Sequence, residues 1–152
     1  MKHAASLKLA IPLFLFSLIA TAQEIGNWRA ANQTARTITG DISIASEKIL
    51  INFIRFPISR IRTLQPAEVS AVFDADANTS GTGSLYKLNI PAEQKFLNKN
   101  TLCGSEATQW MAIYANGPNL RLAFFSSAKP PAFTLDAIQN STDLCGTFTY
   151  VK

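Results

Sequence analysis

The sequence predicts a mainly β domain: a small antiparallel β-barrel or sandwich with one short helix and one disulfide. Three observations lead there. Short runs rich in Ile, Thr, Phe and Tyr recur along the chain, divided by Gly, Pro, Asn and Asp. No long amphipathic period and no strand–helix alternation interrupts them. The two cysteines, Cys103 and Cys145, stand before the last strands, where a bridge would tie the C-terminal strand to a hairpin.

The N-terminus, MKHAASLKLAIPLFLFSLIATAQE, sits outside that pattern. Lys2, His3 and Lys8 are followed by an apolar run from Leu9 to Ala20 and by the small-x-small triplet Ala20-Thr21-Ala22. This is the grammar of a secretory signal peptide, and the run is short for a bilayer span. Residues 1–22 are therefore expected to be removed, leaving a single mainly-β domain over 23–152 that begins at Gln23 and has no membrane span. The mature length is 152 less 22, or 130 residues. Loss of Lys2 and Lys8 takes the basic count from 14 to 12 against 10 acids, so the net charge falls from +4 to +2. That balance gives no support to a nucleic-acid partner, which needs a dense basic field.

The elements follow in order. Thr37–Ile44 (TITGDISI) is predicted as a strand with a bulge or turn at Gly40-Asp41. Lys48–Phe56 (KILINFIRF) is predicted as a central strand, apolar on both faces except at Asn52 and interrupted after Phe56 by Pro57. Ile58–Thr63 alternates, which sets Arg60 and Arg62 on one side and Ile61 on the other. Pro66 opens a helical turn, and Val69–Phe73 reads equally as strand or helix. Residues 74–84 (DADANTSGTGS) form a loop, and Ser84–Ile90 alternates as a strand. Pro91–Asn100 (PAEQKFLNKN) is predicted as the short helix, with proline at its first position, Glu93 at its positive end and Lys95 and Lys99 at its negative end. Thr108–Asn116 and Asn119–Ser127 flank Gly117-Pro118 as a hairpin, and Phe133–Ile138 and Thr147–Val151 complete the strands.

Several chemistries are excluded by residue type. His3 is the only histidine and lies in the leader, so the mature chain has no imidazole base for a serine or cysteine nucleophile. Two cysteines without histidine fall short of the usual zinc ligand set, and no metal or cofactor is called for. Cys103 and Cys145 are too far apart for a Cys-x-x-Cys redox motif. An exported chain meets an oxidising compartment, so the pair is predicted to be a structural disulfide, stabilising by roughly 4 kcal/mol in the chain-entropy picture.

Gly26-Asn27-Trp28 resembles the Gly-x-Trp that opens the first strand of lipocalin-like (calycin) barrels, among them small bacterial periplasmic inhibitors with one disulfide. The resemblance implies that Trp28 closes one end of a barrel and that an arginine late in the chain packs against it. This sequence departs from that pattern, because no arginine follows Arg121. The stretches GNWRAANQTARTITGDIS, NTLCGSEATQWM and STDLCGTFTY also resemble uncharacterised exported bacterial proteins, which implies no activity.

Candidate sites are few, and no catalytic residue is assigned. Residues 23–66 carry six basic and three acidic groups. Arg55, Arg60 and Arg62 are the candidate anion or partner face, set against the reading of a solvated strand face. Trp28, Trp110 and Tyr114 are candidate ligand or core aromatics. Asp74, Asp76, Asn78 and Ser80 have the alternation of a calcium loop but lack its glycine register and closing glutamate, so a turn is the expectation. Asn32, Asn78 and Asn140 head acceptor triplets for N-glycosylation.

The function expected is an exported, periplasmic or extracellular, non-enzymatic binding or inhibitory module. Its partner would be a protein, a glycan or a small apolar ligand. The alternatives are a histidine-independent hydrolase using carboxylates such as Glu68, Asp74 or Asp76, and a structural envelope protein with a basic partner-binding face.

Overall fold

The computed structural model describes residues 23–152, so the leader segment lies outside the described residues. Eight antiparallel strands close into a barrel in simple chain order: β1 (Gly26–Ala30), β2 (Ile42–Ile44), β3 (Lys48–Ile51), β4 (Ile54–Leu64), β5 (Thr82–Ile90), β6 (Thr108–Asn116), β7 (Asn119–Phe125) and β8 (Leu144–Val151). β8 returns to β1 over Arg29–Val151 and Ala30–Tyr150, which completes the closure. Closing the sheet removes free strand edges. Three short helices lie between strands: α1 (Gln33–Ile38), α2 (Pro66–Phe73) and α3 (Leu135–Gln139).

Alternation divides the apolar residues into two cores. The inward set, including Trp28, Ile49, Ile51, Met111, Ile113, Leu122, Phe124, Phe148 and Tyr150, meets in one packed cluster inside the barrel. Phe124 and Phe148 meet edge to face at 5.3 Å. The outward set on β5, β6 and β7, with Leu85, Trp110, Ala112, Tyr114 and Phe125, is covered by Val69, Val72 and Phe73 of α2 and by Phe133. One half of the outer wall is thus sheathed. The other half, β1 to β3 and the start of β4, carries no such cover.

Cys103, between β5 and β6, is bonded to Cys145 at the start of β8. The bridge joins the β5–β6 connection to the final strand, as the spacing along the chain implied.

Four elements differ from the sequence reading, each for a local reason. Lys48–Phe56 is not one central strand but the β3–β4 hairpin, turning at Asn52 (φ 50°) and Phe53 (φ 65°). Both residues have positive φ, the geometry of a type I′ turn, whose hand matches strand twist. Pro57 then sits inside β4 without cost. It lies opposite Lys48, the first residue of β3, and its successor Ile58 donates its N–H to the Glu47 carbonyl.

Thr37 and Ile38 end α1 rather than begin a strand. The Asn32 side chain accepts the Ala35 N–H at 3.0 Å, and burial of Ala35 fixes the helix on the barrel end. Residues 91–100 make only a 3₁₀ turn over Leu97–Lys99, because Phe96 N–H bonds the Asn100 carbonyl at 2.8 Å and closes a tight loop. Burial of Phe96 against Phe56, at 5.9 Å between rings, outweighs helix formation. Leu135–Gln139 is helical, not extended, since the Thr134 side chain caps it by accepting the Ala137 N–H.

Candidate functional site

The sequence-selected aromatics all pack into the two cores, and Trp28 also lines the outer-wall groove described below. Trp28 is buried in the inner core, and its indole N–H donates to the Glu24 carbonyl at 2.8 Å. Trp110 lies under the outer sheath, donating to the Ser127 carbonyl, with the Lys87 ammonium 4.4 Å from its ring. Tyr114 stacks on Phe73 at 6.0 Å and shares a hydrogen bond with Thr79. None of the three opens a ligand cavity inside the barrel.

The three arginines do not share a face. A β-bulge at Ile61 shifts the register so that Arg60 stands opposite Tyr86 and Arg62 opposite Leu85. Tyr86 belongs to the inner core and Leu85 to the outer one, so the two arginines leave the wall on opposite sides. The expected alternation over 58–63 therefore fails at Ile61, which is left half exposed. Arg60 bonds Thr63 at 2.7 Å and reaches Ser84 over the barrel mouth. Arg62 grips Glu68 of α2 with two bonds of 2.8 Å and lies 5.8 Å from the Phe133 ring centroid. That grip holds the Glu68 carboxyl below the usual carboxylate range. Arg55 is separate from both, on the outer wall opposite Leu50.

The barrel mouth is closed by the residues before β1. Glu24 is only 3% exposed and accepts the Tyr86 hydroxyl at 2.8 Å. Burial, and then the Glu24 carboxylate, push the Tyr86 hydroxyl pKa above its ordinary value. Lys152 approaches the same region from the other end of the chain, its ammonium 5.0 Å from the Trp28 ring centroid.

Two of the three carboxylates proposed for hydrolysis are held locally. Glu68 binds Arg62 and accepts the Gln65 N–H, and Asp76 accepts from the Asn78 backbone and side-chain amides. Asp74 ends α2 in a left-handed conformation. The calcium-like stretch is accordingly a turn. Of the acceptor triplets, the Asn32 amide is engaged at both ends: its oxygen caps α1 and accepts Thr149 N–H, and its nitrogen donates to the Thr147 carbonyl.

A site that sequence reasoning missed lies on the bare half of the outer wall. Asn27, Ser43, Leu50 and Arg55 form one outward row across β1, β2, β3 and β4. Of this row, Asn27, Ser43 and Leu50 but not Arg55 line a groove of about 840 Å³, together with Trp28, Arg29, Asp41, Phe53 and Leu97. Phe53 stands at its rim on the hairpin tip and is 96% exposed. Leu97 leans over Gly40 from the far side, where an added Cβ would meet its Cδ1 at 3.0 Å. The loop that carries Leu97 is pinned to α1, since Asn98 and Asn100 both donate to the Thr37 carbonyl. The sequence offered only scattered hints: Trp28, which lines the groove, Arg55, which ends the outward row, and Asn52, the one polar residue in KILINFIRF.

No family model, curated protein or solved structure matches this chain. Among the described residues no helix is long and apolar enough to cross a membrane.

Proposed function

We propose that the chain is an exported, non-enzymatic binding or inhibitory module that engages its partner on the outer wall, at the groove beside Phe53. Phe53 carries this reading. A left-handed conformation costs a residue with a Cβ roughly 1–2 kcal/mol, and a bulky aromatic is rarely found there. Phe53 returns nothing to the fold for that cost, because its ring is 96% exposed. Backbone strain that the fold does not use clusters at functional sites, and an exposed aromatic is the kind of side chain that anchors an interface. The barrel interior argues the same way, since its own side chains fill it.

Export is supported by the three-part leader in residues 1–22 and by the disulfide, which persists in oxidising compartments. Lys152 over the Trp28 ring supports the lipocalin-like resemblance, with a late lysine where that family uses arginine. The test is recovery of wild type and Phe53→Ala from the native compartment, with mass spectrometry of what stays bound. Wild type should retain a species that the variant loses. Identical recoveries would remove the outer-wall site.

A further inference from the structure

The bare wall and its adjoining barrel end are unevenly charged. Arg29, Arg36, Arg55 and Lys99 are all exposed there. Arg29 lines the groove, and Arg55 follows Phe53 by two residues. Arg36 adjoins Thr37, whose carbonyl holds the loop that carries Lys99. Asp41 is the only acid lining the groove, and one of its oxygens already accepts the Ala30 N–H at 2.9 Å. Among the described residues the one salt bridge is Arg62–Glu68. Arg29 donates to the Lys152 main-chain oxygen at 3.2 Å, while Arg36, Arg55 and Lys99 form no ion pair with a described residue.

The apolar groups at the same end are held in an unusual manner. Two neighbouring loops each contain consecutive left-handed residues, Asn52-Phe53 and Asn98-Lys99. The first lifts an aromatic ring into solvent, and the second holds a lysine beside Leu97. The result is a protruding phenyl ring and a partly exposed leucine on the lining of one groove, with cations nearby.

We infer that this end of the barrel docks on an anionic lipid surface, with Phe53 entering the headgroup layer and Arg55, Lys99, Arg36 and Arg29 facing lipid phosphates. The inference rests on the outer-wall binding site proposed above and names its partner. A convex aromatic tip suits a soft interface, where an aromatic side chain finds an apolar environment at headgroup depth. Each basic residue near an anionic leaflet adds about fivefold to the partition coefficient, and the attraction decays within a Debye length. A single ring and four cations give reversible peripheral association rather than insertion.

The probe is vesicles of phosphatidylglycerol and phosphatidylcholine against vesicles of phosphatidylcholine alone, read by co-sedimentation. The protein is the chain as its host processes it, with its N-terminus sequenced first so that an uncut leader is not mistaken for the docking site. Wild type should bind the anionic vesicles, bind the neutral ones far less, and dissociate as salt rises. Phe53→Ala should lower partition about tenfold by withdrawing the ring from the interface. Arg55→Glu with Lys99→Glu should abolish association while leaving the melting temperature near that of wild type. Equal binding by wild type and all variants would overturn the inference. Charge-dependent binding that Phe53→Ala leaves unchanged would also overturn it, since simple adsorption needs no anchor. If no vesicle binds yet Phe53→Ala loses a co-purifying protein, the partner is a protein, and the binding-module reading survives without the lipid surface.

Discussion

Phe53 lets folding and function be separated by one substitution. At φ 65° the side chain strains the turn, and Asn52 already supplies the first residue of an Asn-Gly type I′ turn. Phe53→Gly should therefore raise stability, by about 1 kcal/mol after allowing for the greater freedom of glycine in the unfolded chain. A residue retained only for folding would show no compensating loss. Here the variant should melt higher and lose the species that wild type carries, as read by calorimetry and by co-purification. Tyr150 has the opposite character. Its hydroxyl is buried, shares a 2.7 Å hydrogen bond with Thr39, and has its pKa raised above the ordinary value, chiefly by burial. Tyr150→Phe should cost about 1 kcal/mol in denaturant unfolding, with no effect on the groove.

Among the elements, β4 shows how a local irregularity redistributes charge. Without the bulge at Ile61, Arg60 and Arg62 would share a side; with it, Arg62 alone reaches α2. Glu68 also accepts the Gln65 N–H at 2.7 Å, so one carboxylate serves both the arginine and the start of α2. Because folding lowers the Glu68 pKa, its contribution is present above the unfolded value and is lost as pH falls through the folded one. Glu68→Gln should thus be less stable than wild type at neutral pH, by under about 1 kcal/mol for an exposed pair, and the gap should close below about pH 4. Thermal melts across that range would reveal a constant gap if the pair were unimportant. Arg62→Ala should lower the melting temperature more than Arg60→Ala, because only Arg62 joins α2 to the wall.

The same elements mark what could be read from the sequence. β5, β6 and β7 were legible because their alternation is regular and Gly117-Pro118 is a strong turn signal. The β3–β4 turn was not, since Asn-Phe is a poor turn pair and apolar residues continue on both sides. The bulge at Ile61 has no local signature, and it displaced the arginine face. The candidate groove was invisible for a related reason. It is built from outward residues of β1, β2 and β3, whose partners in the row depend on register rather than on spacing along the chain.

For the whole molecule, stability and exposure are distributed unevenly in a way that ties the site to dynamics. β5, β6 and β7 are packed on both faces, against the inner core and beneath α2 and Phe133. β1, β2 and β3 are short and packed on one face only, and β1 pairs with β8 over just Arg29 and Ala30, with Ala31 and Asn32 adding bonds to Thr149 beyond the strand. The disulfide anchors β8 to the β5–β6 connection but does not touch β1. Local opening should therefore begin at the β1–β8 seam, since segments with few buried contacts open at lowest cost. Amide hydrogen exchange should be fastest in β1 to β3 and slowest in β6 and β7. Reducing the Cys103–Cys145 bond should destabilise the molecule by about 3–4 kcal/mol, raising exchange in β8 and in the β5–β6 connection while leaving the order of β1 against β6 unchanged. Ligand occupancy gives the decisive comparison. A partner seated on Asn27, Ser43, Leu50 and Phe53 bridges three strands that little else holds on their outer side, so it should slow exchange in β1 to β3 selectively. Protection spread evenly over the barrel, or confined to β6 and β7, would place the partner elsewhere.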